Sequence, residues 1–466
     1  MLKHTLKVIQ EEILGDIITP VQLYLKIRDI YPNSILLESS DYHSNNNSFS
    51  FLCVKPISTF TCTGKQIITD NLNGTVSSSS FHDQELMNHF NQFKDTFNFT
   101  GNPNEKCNGL FGYITWDSIP NFEKITFQSK GSKATIPEFK FSLFQTVIMF
   151  NHYHNTITFI ENENDFNENL TPAIKNLIMQ NNQLSYPFKK VGEVSSNLTN
   201  KQFVDMVIKG KNACFRGDVF QIVPSRQFSQ EFKGDDFAVY RALRSINPSP
   251  YLFYFDYGSY KIFGSSPESQ LIINNNEAEI HPIAGTFKRT GNDEKDAVLA
   301  IELKKDKKEN AERVMLVDLA RNDLSINSSN VQVDKYKEIQ FFSHVIHMVS
   351  KVTAKLENQK LVSSKILADT FPAGTLSGAP KYKAMQLIDA MENQNRGIYG
   401  GVIGYIGFNG DINTAILIRS FLSKENTLYY QAGAGVVSES DNQNELNEVN
   451  NKLAALNKAI EIAQNL

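Results

Sequence analysis

The chain has 466 residues, 41% of them hydrophobic and 21% charged, with a formal net charge of -4. This composition predicts an ordinary globular protein, large enough for two domains or one composite one, and the charge argues against nucleic acid or an anionic membrane as main partner, since both want a basic surface. No apolar run reaches the roughly 18 residues that span a bilayer, the N-terminal MLKHTLKVIQEEILGD reads as a short helix or strand and not a signal peptide, and Cys53, Cys62, Cys107 and Cys214, with no C-x-x-C pair, suit a reducing cytoplasm and speak against a cysteine metal site.

From the N-terminus to about residue 185 strand signals dominate: SILLESS, SFSFLCV, TFTCTG, GLFGYITWD, FSLFQTVIMF and TITFIEN, separated by clusters such as DYHSNNNS and NENDFNEN. A helical stretch near Pro172–Gln183 closes this part. SYPFKKVGEVSSNLT (Ser185–Thr199) is polar and unperiodic and reads as a linker between an N-terminal region, 1–190, and a C-terminal region, 195–466. The Ser, Asn and Thr residues before Phe203, Val207 and Ile208 predict a capped helix. Strands YLFYFDYG, YKIFGSS, SQLIIN and AEIHPIAG then lead into a long helical stretch, DAVLAIELKKDKKENAERVMLVDLARNDL. YGGVIGYIGF, DINTAILIRSFL and TLYYQAGAGVV predict an antiparallel meander, with Tyr399 and Tyr405 on one strand. The last helix carries Leu446, Val449, Leu453, Leu456 and Ile460 as one stripe. Many strands with no repeated βαβ unit predict an α+β fold of antiparallel sheets covered by helices.

Several positions carry chemistry. Glu309 and Glu312 share a helix face, and Glu445 and Glu448 repeat that spacing in the last helix. Four carboxylates from two helices could hold one Mg2+, which takes a few carboxylates, water and an anionic substrate group; acidic residues on solvated faces or near helix N-termini are the plain alternative. In PAGTLSGAPK, Ser377 and Pro380 fit the start of a helix, or Thr375, Ser377 and nearby N–H groups bind a carboxylate. QAGAGVV lets a ligand approach backbone N–H groups. Arg419 in AILIRS wants a carboxylate, from the protein or from a ligand. His344 and His347 sit in an apolar run, where a satisfied core role is the commoner one.

Together DVFQIVPSRQF, FGSSPE, HPIAGT, KKENAERVMLVDLARNDL, HVIHMVSKV, PAGTLSGAPK, IYGGVIGYIG, AILIRS, AGAGVV and ELNEVNNK occur in the order found in chorismate-utilising enzymes. The likeness covers Leu198 to Leu466; LLES and GLFGYITWD extend it more loosely through the N-terminal third. The whole chain resembles the anthranilate synthase component I family. That resemblance implies a sandwich of antiparallel sheets with surrounding helices, an N-terminal regulatory and structural region and a catalytic region. It implies a reaction in which ammonia adds to chorismate at ring C2, the C4 hydroxyl leaves, and pyruvate is eliminated to give anthranilate, the first step of tryptophan biosynthesis.

By motif, Glu312 and Glu448 match direct Mg2+ ligands, with Glu309 and Glu445 nearby or acting through water. Glu268 matches the general acid for the leaving hydroxyl, and His347 an active-site histidine for proton transfer during elimination. Tyr399 and Arg419 match residues that hold the enolpyruvyl carboxylate. Thr375, Gly433, Ala434, Gly435, Gly285, Thr286 and Lys452 match substrate-binding positions. Glu38, Ser39, Pro250, Tyr251 and Tyr405 match a pocket for tryptophan as feedback inhibitor. Water-using relatives carry Lys where this chain has Gln221, and aminodeoxychorismate synthases often carry Lys at Ala284. Neither a water-activating base nor a covalent amine is then available, which leaves ammonia. With no cysteine in a G-x-C-x-G elbow, a separate glutamine amidotransferase subunit is the expected source. Aminodeoxychorismate synthase component I, or a silent chorismate- or tryptophan-binding sensor, are the alternatives. Arg313 and Trp116 depart from the residues usual in the family.

Overall fold

The computed structural model describes residues 3–39, 48–101, 108–180, 184–305, 307–341 and 345–466; within them, the side chains of 284–288, 303–313, 337, 340, 341, 345 and 347 lie outside the description. Cys107 and His344 fall on residues that are not described.

Two long strands, Phe49–Thr63 and Phe139–Asn151, pair antiparallel along most of their length and form the spine of the molecule. Each is long enough to belong to two sheets at once. On one arm the path runs from Phe49–Thr63 through Ile35–Glu38, Tyr251–Asp256, Tyr260–Ser266, Ser420–Lys424, Thr427–Gly433 and Ser225–Gly234 to Phe188–Ser196. On the other it runs from Phe139–Asn151 through Gly109–Ile114, Val402–Gly407, Ile412–Ile416, Ser269–Asn274 and Glu277–Ile280 to Val345–Lys355, which also pairs with Ile283–Lys288 and Ser329–Phe341. These ladders are antiparallel; His4–Leu14 with Phe97–Gly101 is parallel. N-terminal strands therefore lie at the middle of this path, with C-terminal strands extending each arm outward from them.

The arms pack face to face. Ile35, Phe253 and Ile262 of one and Phe111, Ile403 and Ala415 of the other belong to a single buried cluster, and the hydroxyls of Tyr113 and Tyr260 meet across it at 2.6 Å. Such a sandwich needs residues alternating between inner core and outer helices. In FKFSLFQTVIMF, Phe144 and Val147 face inward, while Phe139, Phe141 and Ile148 join the other cluster. There Phe90 packs edge-on to Phe139 and Phe60, at 5.0 and 5.5 Å, contacts worth about 0.5–1.5 kcal/mol each beyond their area. Gly112 is required where strands cross closely: a Cβ there would lie 1.9 Å from the Lys140 carbonyl oxygen.

Helices cover the outside: α1 (Pro20–Ile27), α2 (Leu86–Lys94), α3 (Thr171–Met179), α4 (Asn200–Phe215), α5 (Phe237–Ile246), α6 (Asp293–Lys305), α7 (Lys307–Ser325), α8 (Gln359–Thr370), α9 (Gly374–Ser377), α10 (Lys381–Met391) and α11 (Asn442–Ala463). The α4 start is as the sequence reads: Thr199 and Gln202 form a reciprocal capping box. The α11 stripe is buried as expected. The α+β sandwich is confirmed. None of the described helices is long and apolar enough to cross a membrane.

Three readings of the sequence need correction. Ser185–Thr199 is mostly strand: Phe188–Ser196 pairs with Ser225–Gly234. It is an outer, largely exposed strand carrying Lys189, Lys190 and Glu193, interrupted between Val191 and Ser195, with Gly192 at φ 66°; an edge strand needs little apolar patterning. DINTAILIRSFL is not one strand but two, Ile412–Ile416 and Ser420–Lys424. Tyr399 does not share the Tyr405 strand, which begins at Val402, because Gly400 at φ 77° turns the chain before it.

Candidate active site

The site forms where the chain passes twice between the two arms. Tyr260–Ser266 lies in one arm and Ser269–Asn274 in the other, and Glu268 occupies the bend between them. Ile412–Ile416 and Ser420–Lys424 make the reverse passage, with Arg419 at that bend in a left-handed conformation, φ 48°. The two bends are laced together. The Ile416 N–H donates to the Glu268 carbonyl at 3.0 Å, and the Ser265 N–H to the Arg419 carbonyl at 3.1 Å. A carboxyl and a guanidinium 151 positions apart in sequence thus become neighbours.

Glu268 is 8% exposed. Burial pushes its carboxyl up to about 8; the Thr375 hydroxyl, the Ile283 N–H, Lys452 and Arg419 pull in the opposite direction. Thr375 Oγ1 donates to Glu268 Oε1 at 3.1 Å. Burial lowers the Arg419 pKa while Glu268 opposes that shift, and Arg419 Nη1 donates to Asn247 Oδ1 at 3.4 Å.

Thr375 stands on α9, a single turn that the glycine-rich stretch allows. Ser377 does not cap the following helix. Its hydroxyl donates to the Ala373 carbonyl, and Pro380 is itself the N-cap of α10, with no side-chain cap. The turn serves as a wall: Glu268, Ala373, Gly374 and Thr375 line one cavity with Leu316, Leu319 and Asp323 of α7.

Tyr399 is buried and accepts from the Gly433 N–H, with burial raising its pKa. A Cβ on Gly433 would come within 3.0 Å of the Tyr399 hydroxyl and 2.7 Å of the Pro224 carbonyl, so this close approach requires glycine. Ala434 is buried beside it and Gly435 follows. Lys452 Nζ donates to the Gly433 carbonyl at 2.9 Å and pairs with Glu448 at 2.7 Å. Lys452 therefore ties α11 to the turn that meets Tyr399.

Glu445 and Glu448 lie one and two turns into α11. Glu445 is 2% exposed. Glu309 and Glu312 belong to α7, His347 to Val345–Lys355, and Gly285 and Thr286 to Ile283–Lys288; the side chains of these five positions lie outside those described. His347 and Thr286 pair across their two strands. Among the described residues no three His, Cys, Asp or Glu side chains converge on a cation. Of the two helices that carry these carboxylates, α7 lines the Glu268 cavity through Leu319, and α11 reaches Glu268 electrostatically through Lys452.

The effector candidates lie on other strands. Glu38 is buried, accepting from Tyr240 at 2.6 Å and from Arg244 at 3.0 Å. Glu38 pairs in register with Leu252, next to Tyr251, and Pro250 precedes that strand; Ser39 follows Glu38. Tyr405 packs on Phe51 and Phe111, at 6.3 and 5.6 Å. Gln221 is buried in a two-residue strand against Gly378–Ala379. The side chains of Ala284 and Arg313 lie outside those described.

Sequence reasoning missed Asn247, Glu392, Arg396 and the Asp323–Lys381 ion pair at 2.7 Å. Arg396, three residues before Tyr399 in QNRGIYGG, and Asn247, opening NPSPY, were visible as polar residues beside recognised motifs.

The sequence pattern of chorismate binding enzymes matches residues 20–458. The chain belongs to the chorismate-binding enzyme family. Among relatives in this family, anthranilate synthase component 1 of Neisseria meningitidis serogroup B is 36% identical, over 97% of this chain and 95% of that protein. The Aquifex aeolicus protein of the same name is 35% identical, over 97% and 94%. The crystal structure of anthranilate synthase component I from Streptococcus pneumoniae superposes with TM-score 0.75 and 31% identity, covering 96% of this chain and 99% of that one. MenF, the menaquinone-specific isochorismate synthase of Escherichia coli, shares the fold at 17% identity and TM-score 0.73.

Proposed function

We propose that this chain is component I of an anthranilate synthase, converting chorismate and ammonia to anthranilate and pyruvate. The observation that carries this reading is Glu268: a buried carboxyl that holds its proton near neutrality, faced by Arg419 and Lys452, in a chorismate-binding enzyme related over almost its full length to anthranilate synthases. Glu268 donates that proton to the leaving C4 hydroxyl, which departs as water while ammonia bonds to C2. Arg419 and Tyr399 hold the enolpyruvyl carboxylate, and Thr375 with the Gly433–Gly435 backbone orients the ring. His347 takes part in proton transfer as pyruvate leaves. Glu312 and Glu448, with Glu309 and Glu445 behind them, would hold Mg2+, which when bound anchors the ring carboxylate and screens its charge. Gln221 has no basic nitrogen with which to activate water, which supports ammonia as nucleophile.

The ammonia comes from a partner glutamine amidotransferase, and the enzyme works in the cytoplasm. Tryptophan inhibits by binding at Glu38, Ser39, Pro250, Tyr251 and Tyr405. The 247–251 segment supports a route between sites, since it carries Pro250 and Tyr251 at one end and Asn247, bonded to Arg419, at the other. The deciding experiment is product identification with chorismate, Mg2+ and ammonium. Anthranilate fluorescence is the expected result; a product that needs a separate lyase to become aromatic would mean an aminodeoxychorismate synthase, and no product a binding protein.

A further inference from the structure

Behind the proposed substrate walls lies a buried cation that none of the roles above uses. Arg396 is 2% exposed. Nη1 donates to the Leu376 carbonyl and Nη2 to the Val223 carbonyl, each at 2.9 Å. Nη2 and Nε reach the two Glu392 oxygens at 2.5 and 3.2 Å. Glu392 in turn accepts from the Ser225 N–H at 2.9 Å and its hydroxyl at 2.6 Å, and Gln431 donates to that hydroxyl. The guanidinium lies 4.1 Å from the Trp116 ring centre and 5.4 Å from that of Tyr399.

These contacts reach the segments that form the site. Leu376 adjoins Thr375, the donor to Glu268. Val223 follows Gln221 and Ile222. Gln431 lies two residues before Gly433, and Tyr399 bears the stacked ring itself. We infer that Arg396 is a positioning residue for the reaction on chorismate: its planar fork fixes the α9 turn, the 221–225 segment and Tyr399 relative to one another. A lysine keeps the charge but cannot supply the same forked set of bonds. The inference rests on the proposed function for its catalytic part.

The test compares wild type with Arg396→Lys. Chorismate binding is measured by equilibrium dialysis without ammonium, and turnover with ammonium across pH 6 to 10. Folding is checked by circular dichroism. The groups that face Glu268 are Arg419 and Lys452, with Thr375 as hydrogen-bond donor and Asp323 lining the same cavity. A displaced Thr375 stops stabilising ionised Glu268, so the alkaline limb of the rate profile moves to higher pH. Thr375→Val moves it the same way, and adding Arg396→Lys to that variant moves it no further. Chorismate binding is expected to weaken at least tenfold and turnover to fall at least fiftyfold in Arg396→Lys. Binding within threefold of wild type, or a loss of turnover with the limb unmoved, overturns the inference. If Arg396→Lys does not fold, Glu392→Gln is subjected to the same measurements and the same criteria. A wild type that binds chorismate but makes no anthranilate refutes the functional reading instead, and the dialysis result still decides the role of Arg396.

Discussion

Replacing Glu268 by Gln keeps the shape of the side chain and removes its titration. A carboxyl titrating at about 8 is protonated in about ten molecules for each ionised one at pH 7, so the wild type is armed as an acid at neutral pH and disarmed above 8. Glutamine has no proton to give. Turnover in Glu268→Gln should fall by about a hundred- to ten-thousandfold, followed by anthranilate fluorescence, while chorismate binding stays within threefold. The residual rate should lose its alkaline limb near pH 8. Stability supplies a second readout. Between its ordinary value of 4.5 and about 8, folded Glu268 keeps a proton that the unfolded chain has released. Wild-type stability therefore declines with rising pH through that window, by at most about 1.4 kcal/mol per unit, and levels off above it. The variant escapes this decline. Its stability relative to wild type, from urea unfolding, should improve by roughly 3–4 kcal/mol between pH 5 and pH 8. A variant with near wild-type turnover, or a stability difference that does not change with pH, would refute the assignment of a buried, protonated acid.

Glu448→Gln should reduce turnover at least a hundredfold and raise the Mg2+ concentration for half-maximal rate; unaltered Mg2+ dependence would remove this residue from the metal site. Chelation of wild type by EDTA should stop anthranilate formation, and added Mg2+ should restore it. Glu38→Ala should abolish inhibition by tryptophan with the uninhibited rate within threefold, and should cost about 1–3 kcal/mol of stability, because Tyr240 and Arg244 lose an acceptor; inhibition equal to wild type would discard that pocket. Gly112→Ala forces a Cβ against the Lys140 carbonyl and should cost on the order of 2–4 kcal/mol, read as a lower unfolding midpoint.

The sequence was most legible where local pattern and tertiary demand coincide. The α11 stripe and the Thr199 cap are written in spacings that any helix must satisfy, and both are found. Arg419 was legible by itself as a charge closing an apolar run and Glu268 only through a family motif; their meeting was not legible, because what joins them is a pair of chain crossings between two sheets, and no local periodicity encodes a crossing. Phe188–Ser196 was misread because its stability comes from a partner strand and not from its own apolar pattern. Tyr399 was misplaced because the break at Gly400 and Gly401 lies inside an otherwise apolar run that reads as one strand. Arg396 escaped notice for a related reason: its carbonyl acceptors, Leu376 and Val223, carry no polar side chain that would announce the bond.

The interleaving of early and late strands bears on how the polypeptide is made. Ile35–Glu38 waits on the ribosome for Tyr251–Asp256, and Gly109–Ile114 for Val402–Gly407. Neither arm can close until synthesis has almost finished, so the nascent chain must carry apolar strands with only one of their two mates for much of its elongation. Such distant pairings slow folding and expose sticky edges. Cells that make this enzyme in quantity should therefore depend on chaperone shelter more than its final stability would suggest.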